Sequence, residues 1–276
     1  MRIVALILVV ALAGAGYYLL TPEGRQQIDR LRINMARAEY QALFRAGKQL
    51  PGTPDLAQLD QRLAAHGVAL GVPIYIRIFK LESELELWVQ KDGRFVRLAS
   101  YPICLWSGRL GPKLREGDRQ APEGFYTVSA EQLNPNSRWH RSFNLGFPNA
   151  FDQAHGRTGS LIMVHGGCLS IGCYAMTDPV VDEIWRLVTA ALENGQERFA
   201  VHVFPFRMTE RKLRLRRGQQ WSSFWADLKK GYDLFEQAKL PPLVSVCKGR
   251  YMFEPGGNQP APLVEERCPP EIAGNS

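Results

Sequence analysis

Residues 164–176, VHGGCLSIGCYAM, include residue types that can attack a carbonyl carbon. A cysteine nucleophile needs a neighbouring base that forms the thiolate, and backbone N–H groups that hold the developing oxyanion. Cys173 is the candidate nucleophile and His165 its candidate base. The N–H groups of Gly172 and Cys173 are the natural oxyanion donors. The pattern therefore predicts covalent catalysis through a thiolate.

Glycines and a serine surround these two residues and are expected to set their orientation. A catalytic histidine needs a partner for its second ring nitrogen, and the sequence offers the carbonyl of either Gly166 or Gly167. We assign oxyanion-binding or orienting roles to Gly172, Gly166 and Ser170. Both candidate carbonyls remain open at this point.

Two other interpretations of the same residues compete with a nucleophile. His165, Cys168 and Cys173 form an H-x2-C-x4-C array, to which His202 adds a possible fourth zinc ligand. Zinc ribbons usually pair two close knuckles, and this spacing is irregular. A Cys168–Cys173 disulfide would instead remove the reactive thiol. We predict neither a metal nor a cofactor.

The chain has five cysteines, an odd number. Cys247 and Cys268 lie close together in the C-terminal region and can pair. Cys104, Cys168 and Cys173 then leave at least one unpaired thiol. Because a free thiol outside the cytoplasm is at risk of oxidation, its presence favours a chemical role.

The order of these motifs resembles the L,D-transpeptidase catalytic domain, also called the YkuD family, in which a histidine is followed by S-x-G-C. Residues 111–126 (GPKLREGDRQAPEGFY) resemble the family's G-x-K…G-D…T-P-E-G-x-F/Y segment, and residues 147–168 resemble its substrate loop and base strand. The short form HGGC-x-SIGCYAM is most similar to the YafK-like subgroup. The resemblance covers residues 72–206.

This resemblance implies that Cys173 is the nucleophile and His165 the base of an enzyme that acts on peptidoglycan stem peptides. The family attacks the carbonyl on the L-centre of the third stem residue, forms a thioester and releases D-alanine. An amine then takes the acyl group, and water as acceptor makes the enzyme a hydrolase. We predict that Arg157 and Gly167 contact the substrate.

Two positions depart from the common family pattern. Most members have histidine where this chain has Ile171, and arginine where it has Ala175. The expected function is therefore acyl transfer of the L,D-transpeptidase type, with two alternatives. One is an amidase that releases a peptidoglycan-attached lipoprotein, and the other is a non-catalytic module that binds peptidoglycan.

The elements that must position these residues follow from hydrophobic periodicity. Apolar residues alternate from Val72 onwards, which indicates short antiparallel strands. Residues 160–165 predict a strand ending on the histidine, 178–194 a helix and 198–204 a closing strand, whereas 134–158 has little regular pattern. We predict an α+β fold: a mainly β L,D-transpeptidase-type catalytic domain with a short helix after the catalytic cysteine, flanked by N-terminal and C-terminal helices.

Composition shifts predict four segments along the chain. These are a signal peptide or membrane anchor (1–20), a helical N-terminal segment (21–71), the catalytic domain (72–206), and a C-terminal helical extension with a flexible tail (207–276).

The N-terminal stretch Ile3 to Leu20 is uncharged and almost wholly apolar, which is typical of a signal peptide or a single membrane anchor. We therefore expect the protein in the periplasm or elsewhere in the cell envelope. Its net charge of +7 suits an anionic partner such as a membrane surface or peptidoglycan. Basic residues are scattered outside 207–217, and that run lacks interleaved aromatic residues, so we predict no nucleic-acid binding.

Overall fold

The computed structural model describes residues 16, 18, 21–257 and 261–269. The predicted signal peptide or membrane anchor therefore lies almost wholly outside the described residues. Within the described ranges, no helix combines the length and apolar composition needed to cross a bilayer.

The first helix lies against the body of the protein. Helix α1 (Pro22–Arg45) buries Ile33 in the core. Its Asp29 accepts a hydrogen bond from the Arg216 guanidinium at 2.7 Å, and both side chains are buried. A 3-10 turn (Leu56–Gln58) and helix α2 (Leu59–His66) follow.

Within the described residues, the first of two five-stranded sheets joins the first three strands with two later ones. Its strands are β1 (Ile74–Phe79), β2 (Glu84–Lys91), β3 (Arg94–Pro102), β5 (Gly124–Ser129) and β10 (Arg198–Phe204). Their order is β3-β2-β1-β10-β5, and β1 is parallel to β10 whereas the other pairs are antiparallel. Asp92 and Gly93 both have positive φ, which suits the tight turn between β2 and β3.

A second sheet of five strands contains His165, and Cys173 directly precedes one of its strands. Its strands are β4 (Leu105–Trp106), β6 (Leu133–Ser137), β7 (His140–Asn144), β8 (Met163–His165) and β9 (Tyr174–Ala175). Their order is β4-β9-β8-β7-β6. Strand β8 is parallel to β9 and antiparallel to β7.

The core joins both sheets to the helix that follows the candidate cysteine. Helix α3 (Ala150–Ala154) precedes β8, and helix α4 (Asp178–Glu193) follows β9. Helix α4 buries an apolar stripe at helical spacing in the same cluster as residues of both sheets. The stripe consists of Val180, Val181, Ile184, Leu187, Val188 and Ala191. This packing fixes the start of α4 close to the loop after His165.

The C-terminal extension is also part of the core. It comprises helix α5 (Glu210–Arg214), helix α6 (Ser222–Ala238) and a hairpin of strands β11 (Leu243–Cys247) and β12 (Arg250–Glu254). The Trp225 indole of α6 donates to the Glu123 carboxylate at 2.9 Å, and Glu123 pairs with Lys80 at 2.9 Å. All three side chains are buried.

The predicted fold class is confirmed, because helices flank a mainly β domain and a helix follows Cys173. The stretch 134–158, expected to lack regular structure, instead contains the β6–β7 hairpin and α3. The strands of this hairpin are rich in polar residues, so the sequence shows no apolar alternation that would predict them. A hairpin at the edge of a sheet does not need such alternation. The tail is held in part: Cys268 is bonded to Cys247, and the Arg267 N–H donates to the Val246 carbonyl at 2.7 Å.

Candidate active site

His165 is the last residue of β8 in the second sheet, and Cys173 immediately precedes the neighbouring strand β9. The parallel register pairs Val164 with Tyr174 and His165 with Ala175. One residue earlier, Cys173 lies beside Met163, whose N–H is 3.4 Å from the cysteine Sγ. Because side chains alternate along a strand, continuing this register by the one residue before β9 puts the cysteine and the histidine on the same face of the sheet.

The His165 ring is held in one tautomer by the next residue. Its Nδ1 atom lies 2.6 Å from the Gly166 carbonyl oxygen. A carbonyl only accepts hydrogen bonds, so Nδ1 carries the proton and Nε2 keeps a lone pair. The structure thereby selects Gly166 over Gly167 as the orienting carbonyl. The free lone pair is what a base for a thiol requires.

Burial disfavours the charged forms of both groups. Cys173 is the free cysteine among the described residues, and it is buried. Desolvation raises the pKa of its thiol, although the Met163 N–H and the charge of Lys113 oppose the rise. Desolvation also lowers the pKa of His165, against a smaller opposite effect of its bond to Gly166. Both directions favour the neutral forms of the two groups, a thiol and an imidazole.

The loop before the cysteine is tied together by a serine. The Ser170 hydroxyl donates to the Cys173 carbonyl oxygen at 2.7 Å and accepts from the Gly172 N–H at 3.3 Å. Gly172 has φ of +153°, and a Cβ there would come within 3.3 Å of the Ile162 side chain. Ser170 thus has an orienting contact, while the oxyanion role of the Gly172 N–H stays a prediction.

Gly167 and Arg157 were both expected to contact substrate, and each has another partner here. The Gly167 N–H donates to the Asp178 carboxylate at 2.7 Å. Arg157 is buried, and its guanidinium donates to Asp152 at 2.7 Å. This burial gives the arginine a structural contact. A direct contact of either residue with substrate stays a prediction.

Three residues that the sequence did not single out lie close to the pair. The Trp139 ring, at the tip of the β6–β7 hairpin, lies 6.1 Å from the His165 ring. Lys113 is buried, and its ammonium donates to Asp118 at 2.6 Å. Ser142 pairs with His165 in the register of β7 and β8. Among the described residues, its buried hydroxyl has no hydrogen-bond partner.

Sequence signals for these three residues differ. Lys113 stands in the G-x-K segment, but it was given no role there. Trp139 and Ser142 fall in the stretch that was expected to lack regular structure, so no strand register was available to bring them to the histidine.

A disulfide fixes the loop between the two candidate catalytic residues. Cys104 is bonded to Cys168, across a sequence separation of 64. The alternative Cys168–Cys173 disulfide is therefore wrong, and Cys168 is not free to serve in the zinc array. His202 is buried in the first sheet, where Tyr75 contacts its Nδ1 at 2.7 Å. Cys247 and Cys268, whose pairing the sequence left open, form the second disulfide.

The sequence profile of the L,D-transpeptidase catalytic domain (YkuD) matches residues 74–203. The Escherichia coli (strain K12) protein named "Putative L,D-transpeptidase YafK" is 48% identical over 229 residues, which is 83% of this chain and 88% of that protein. The chain belongs to the L,D-transpeptidase (YkuD) family. This is a family of peptidoglycan-related enzymes whose members act on the cell wall in the envelope.

Three further similarities were found. The protein of the same name from Escherichia coli O157:H7 is also 48% identical over 229 residues. The crystal structure of the helical cell shape determining protein Pgp2 from Campylobacter jejuni matches with a TM-score of 0.40 and 20% identity, over 65% of this chain and 68% of that chain. Bd1075 of Bdellovibrio bacteriovorus matches with a TM-score of 0.36 and 14% identity, over 63% and 76%.

Proposed function

We propose that the protein is a cell-envelope cysteine enzyme that transfers acyl groups of peptidoglycan stem peptides, with Cys173 as nucleophile and His165 as base. The observation that carries this proposal is the tautomer of His165. Its Nδ1 is bonded to the Gly166 carbonyl, so Nε2 is the basic atom on the face shared with a free thiol. Family membership supports peptidoglycan as the substrate class.

The proposed reaction starts from a neutral Cys173 thiol and a neutral His165 imidazole rather than from a preformed thiolate–imidazolium pair. The Cys173 Sγ attacks the carbonyl carbon of the stem peptide while Nε2 of His165 takes the thiol proton. The tetrahedral intermediate collapses to a thioester, the C–N bond breaks, and the proton passes from His165 to the leaving amine. An acceptor amine then attacks the thioester carbon and loses its proton to His165. The C–S bond breaks, and the proton passes from His165 to the sulfur, which regenerates the thiol.

The surroundings of the cysteine also favour a second candidate, a hydrolytic amidase that releases a peptidoglycan-attached lipoprotein. Ile171 is 79% exposed and Ala175 is fully buried. The site thus lacks the polar and cationic side chains that most family members have at these positions. Water as acceptor would use the same two residues. A non-catalytic peptidoglycan-binding module is the remaining alternative.

The test is incubation of the full-length protein with free and lipoprotein-linked muropeptides, followed by mass spectrometry. Cross-linked products with release of D-alanine support transpeptidation, and free lipoprotein without cross-links supports the amidase. Cys173→Ala should abolish either activity, and Cys173→Ser is the control that keeps the side chain's size. If Cys173→Ala keeps full activity, the proposed nucleophile is wrong.

A carbapenem probe, followed by intact-mass measurement, tests directly whether the Cys173 thiol can be acylated. We expect one adduct on the wild-type protein and none on Cys173→Ala. Binding to sacculi without any change in muropeptides, by wild type and variant alike, would instead identify a binding module.

A further inference from the structure

The peptide group between Gly166 and Gly167 is hydrogen-bonded at both ends. Its carbonyl oxygen accepts from Nδ1–H of His165 at 2.6 Å. Its N–H donates to Oδ1 of Asp178 at 2.7 Å. Because the carbonyl and the N–H belong to one amide, the Asp178 carboxylate and the His165 imidazole are joined through a single polarisable group.

The conformation of the loop after β8 accommodates the contact between Asp178 and the Gly166–Gly167 peptide. A Cβ at position 166 would overlap Oδ1 of Asp178, so only glycine fits there with the carboxylate in place. Asp178 is the first residue of α4, but its bond runs back to the loop after β8 instead of into its own helix. The N-cap residue Thr177 makes no side-chain capping bond. The first residue of α4 therefore holds the loop that follows His165.

We propose that Asp178 is a positioning residue for the candidate catalytic pair, acting on His165 through the Gly166–Gly167 peptide. A carboxylate that accepts from an amide N–H increases the negative charge on the carbonyl of the same amide. A more negative carbonyl binds Nδ1–H more strongly, and it stabilises the imidazolium that forms when Nε2 takes a proton. This proposal rests on the proposed function, in which His165 is the base.

The imidazolium needs such support because little else near the ring supplies it. His165 is 1% exposed, so bulk water does not solvate the charged ring. Cys173 immediately precedes the neighbouring strand, the positive charge of Lys113 acts on its thiol, and His140, whose Cβ lies beside Gly166, pairs with Asp182 at 2.8 Å. Asp178 is itself exposed, so solvent screening keeps its effect modest.

The test compares two substitutions of the aspartate in the full-length protein. Asp178→Asn keeps an oxygen that accepts from the Gly167 N–H but removes the charge, whereas Asp178→Ala removes both. Glu193→Gln is the matched control, because it removes one negative charge from the far end of the same helix. The first readout is the pKa of the His165 ring, measured by NMR on protein with 13C-labelled histidine and assigned by comparison with His165→Gln.

We expect Asp178→Asn to lower the His165 pKa by about 0.5 pH units, because a screened carboxylate is lost from its surroundings. The kcat/KM for muropeptides should fall about threefold in Asp178→Asn and about tenfold in Asp178→Ala, since only the alanine variant also frees the peptide. The acid limb of the pH profile should move with the NMR pKa. Glu193→Gln should change neither quantity.

The NMR readout separates this proposal from the proposed function. If Cys173→Ala keeps its activity, the proposed function fails, but the effect of Asp178 on the His165 ring is still measured. Equal His165 pKa values and pH profiles in wild type, Asp178→Asn and Asp178→Ala would overturn the positioning role. Should the alanine variant unfold, the near-isosteric asparagine variant decides the question alone.

Discussion

Ala175 lies opposite His165 in the parallel register of β8 and β9, and its side chain has no exposed surface. The common family pattern described above has an arginine at this position. In this chain a long cationic side chain would have to enter a filled core next to the base. The packing around Ala175 therefore disfavours the arginine of the family pattern.

We predict that Ala175→Arg destabilises the protein by about 3 kcal/mol, because it overpacks the core and buries an unpaired charge. Ile171→His, the other change towards the common pattern, should alter stability by less than about 0.5 kcal/mol, since Ile171 is 79% exposed. Urea denaturation of both variants measures the difference. An Ala175→Arg variant as stable as wild type would show that the core around β9 rearranges.

The pH dependence should reflect a neutral resting pair. Burial lowers the pKa of His165 below its ordinary 6.5, so the base stays unprotonated, and activity is retained, as the pH falls to values where a free histidine is half charged. Burial raises the pKa of Cys173 above its ordinary 9.0, so alkylation by iodoacetamide should keep increasing beyond pH 9. A plateau of alkylation below pH 7 would instead reveal a preformed thiolate–imidazolium pair.

The two disulfides should contribute similar stability and different amounts of activity. Replacing Cys104 and Cys168 by serine opens a link with a sequence separation of 64, which should cost about 4 kcal/mol and lower kcat because the loop between His165 and Cys173 is released. Replacing Cys247 and Cys268 opens a link of separation 21 and should cost about 3 kcal/mol with little change in kcat. Equal activity of both double variants would contradict a role of the first disulfide in the site.

Two serines near the pair should respond in opposite ways to alanine. Ser170→Ala removes the bond to the Cys173 carbonyl and should lower stability by about 1 kcal/mol and kcat about tenfold. Ser142→Ala removes a buried hydroxyl that has no partner among the described residues, so stability should hold or rise by about 1 kcal/mol. Thermal unfolding and muropeptide assays check both. A destabilised Ser142→Ala variant would show that this hydroxyl has a partner in solution.

The sequence predicted the elements whose signal is local. The apolar alternation of β1 and β2 and the helical stripe of α4 both follow from which residues are apolar, and both are present. The family motifs likewise indicate His165 and Cys173, whose catalytic roles stay predictions. These features depend on short stretches of chain, where periodicity is informative.

The contacts that complete the site depend on residues far apart in the chain, and the sequence did not predict them. Cys104 pairs with Cys168 through a fold that brings β4 beside the catalytic loop, and cysteine spacing alone allows several pairings. The sequence predicted Asp178 as the N-cap of this helix, whereas in the structure Thr177 is the N-cap and Asp178 the first helical residue. Its bond to the Gly167 N–H exists because α4 packs on both sheets, which is a tertiary property.

The Trp225–Glu123 bond has a consequence for interpreting sequence variants. The family profile ends at residue 203, yet Trp225 lies beyond it and its indole donates to a buried carboxylate within it. A substitution such as Trp225→Phe leaves every family motif intact and strips one partner from the buried Lys80–Glu123 pair. Alignments restricted to the shared domain would score such a change as harmless, and a chimera joined at residue 203 would lose the same bond.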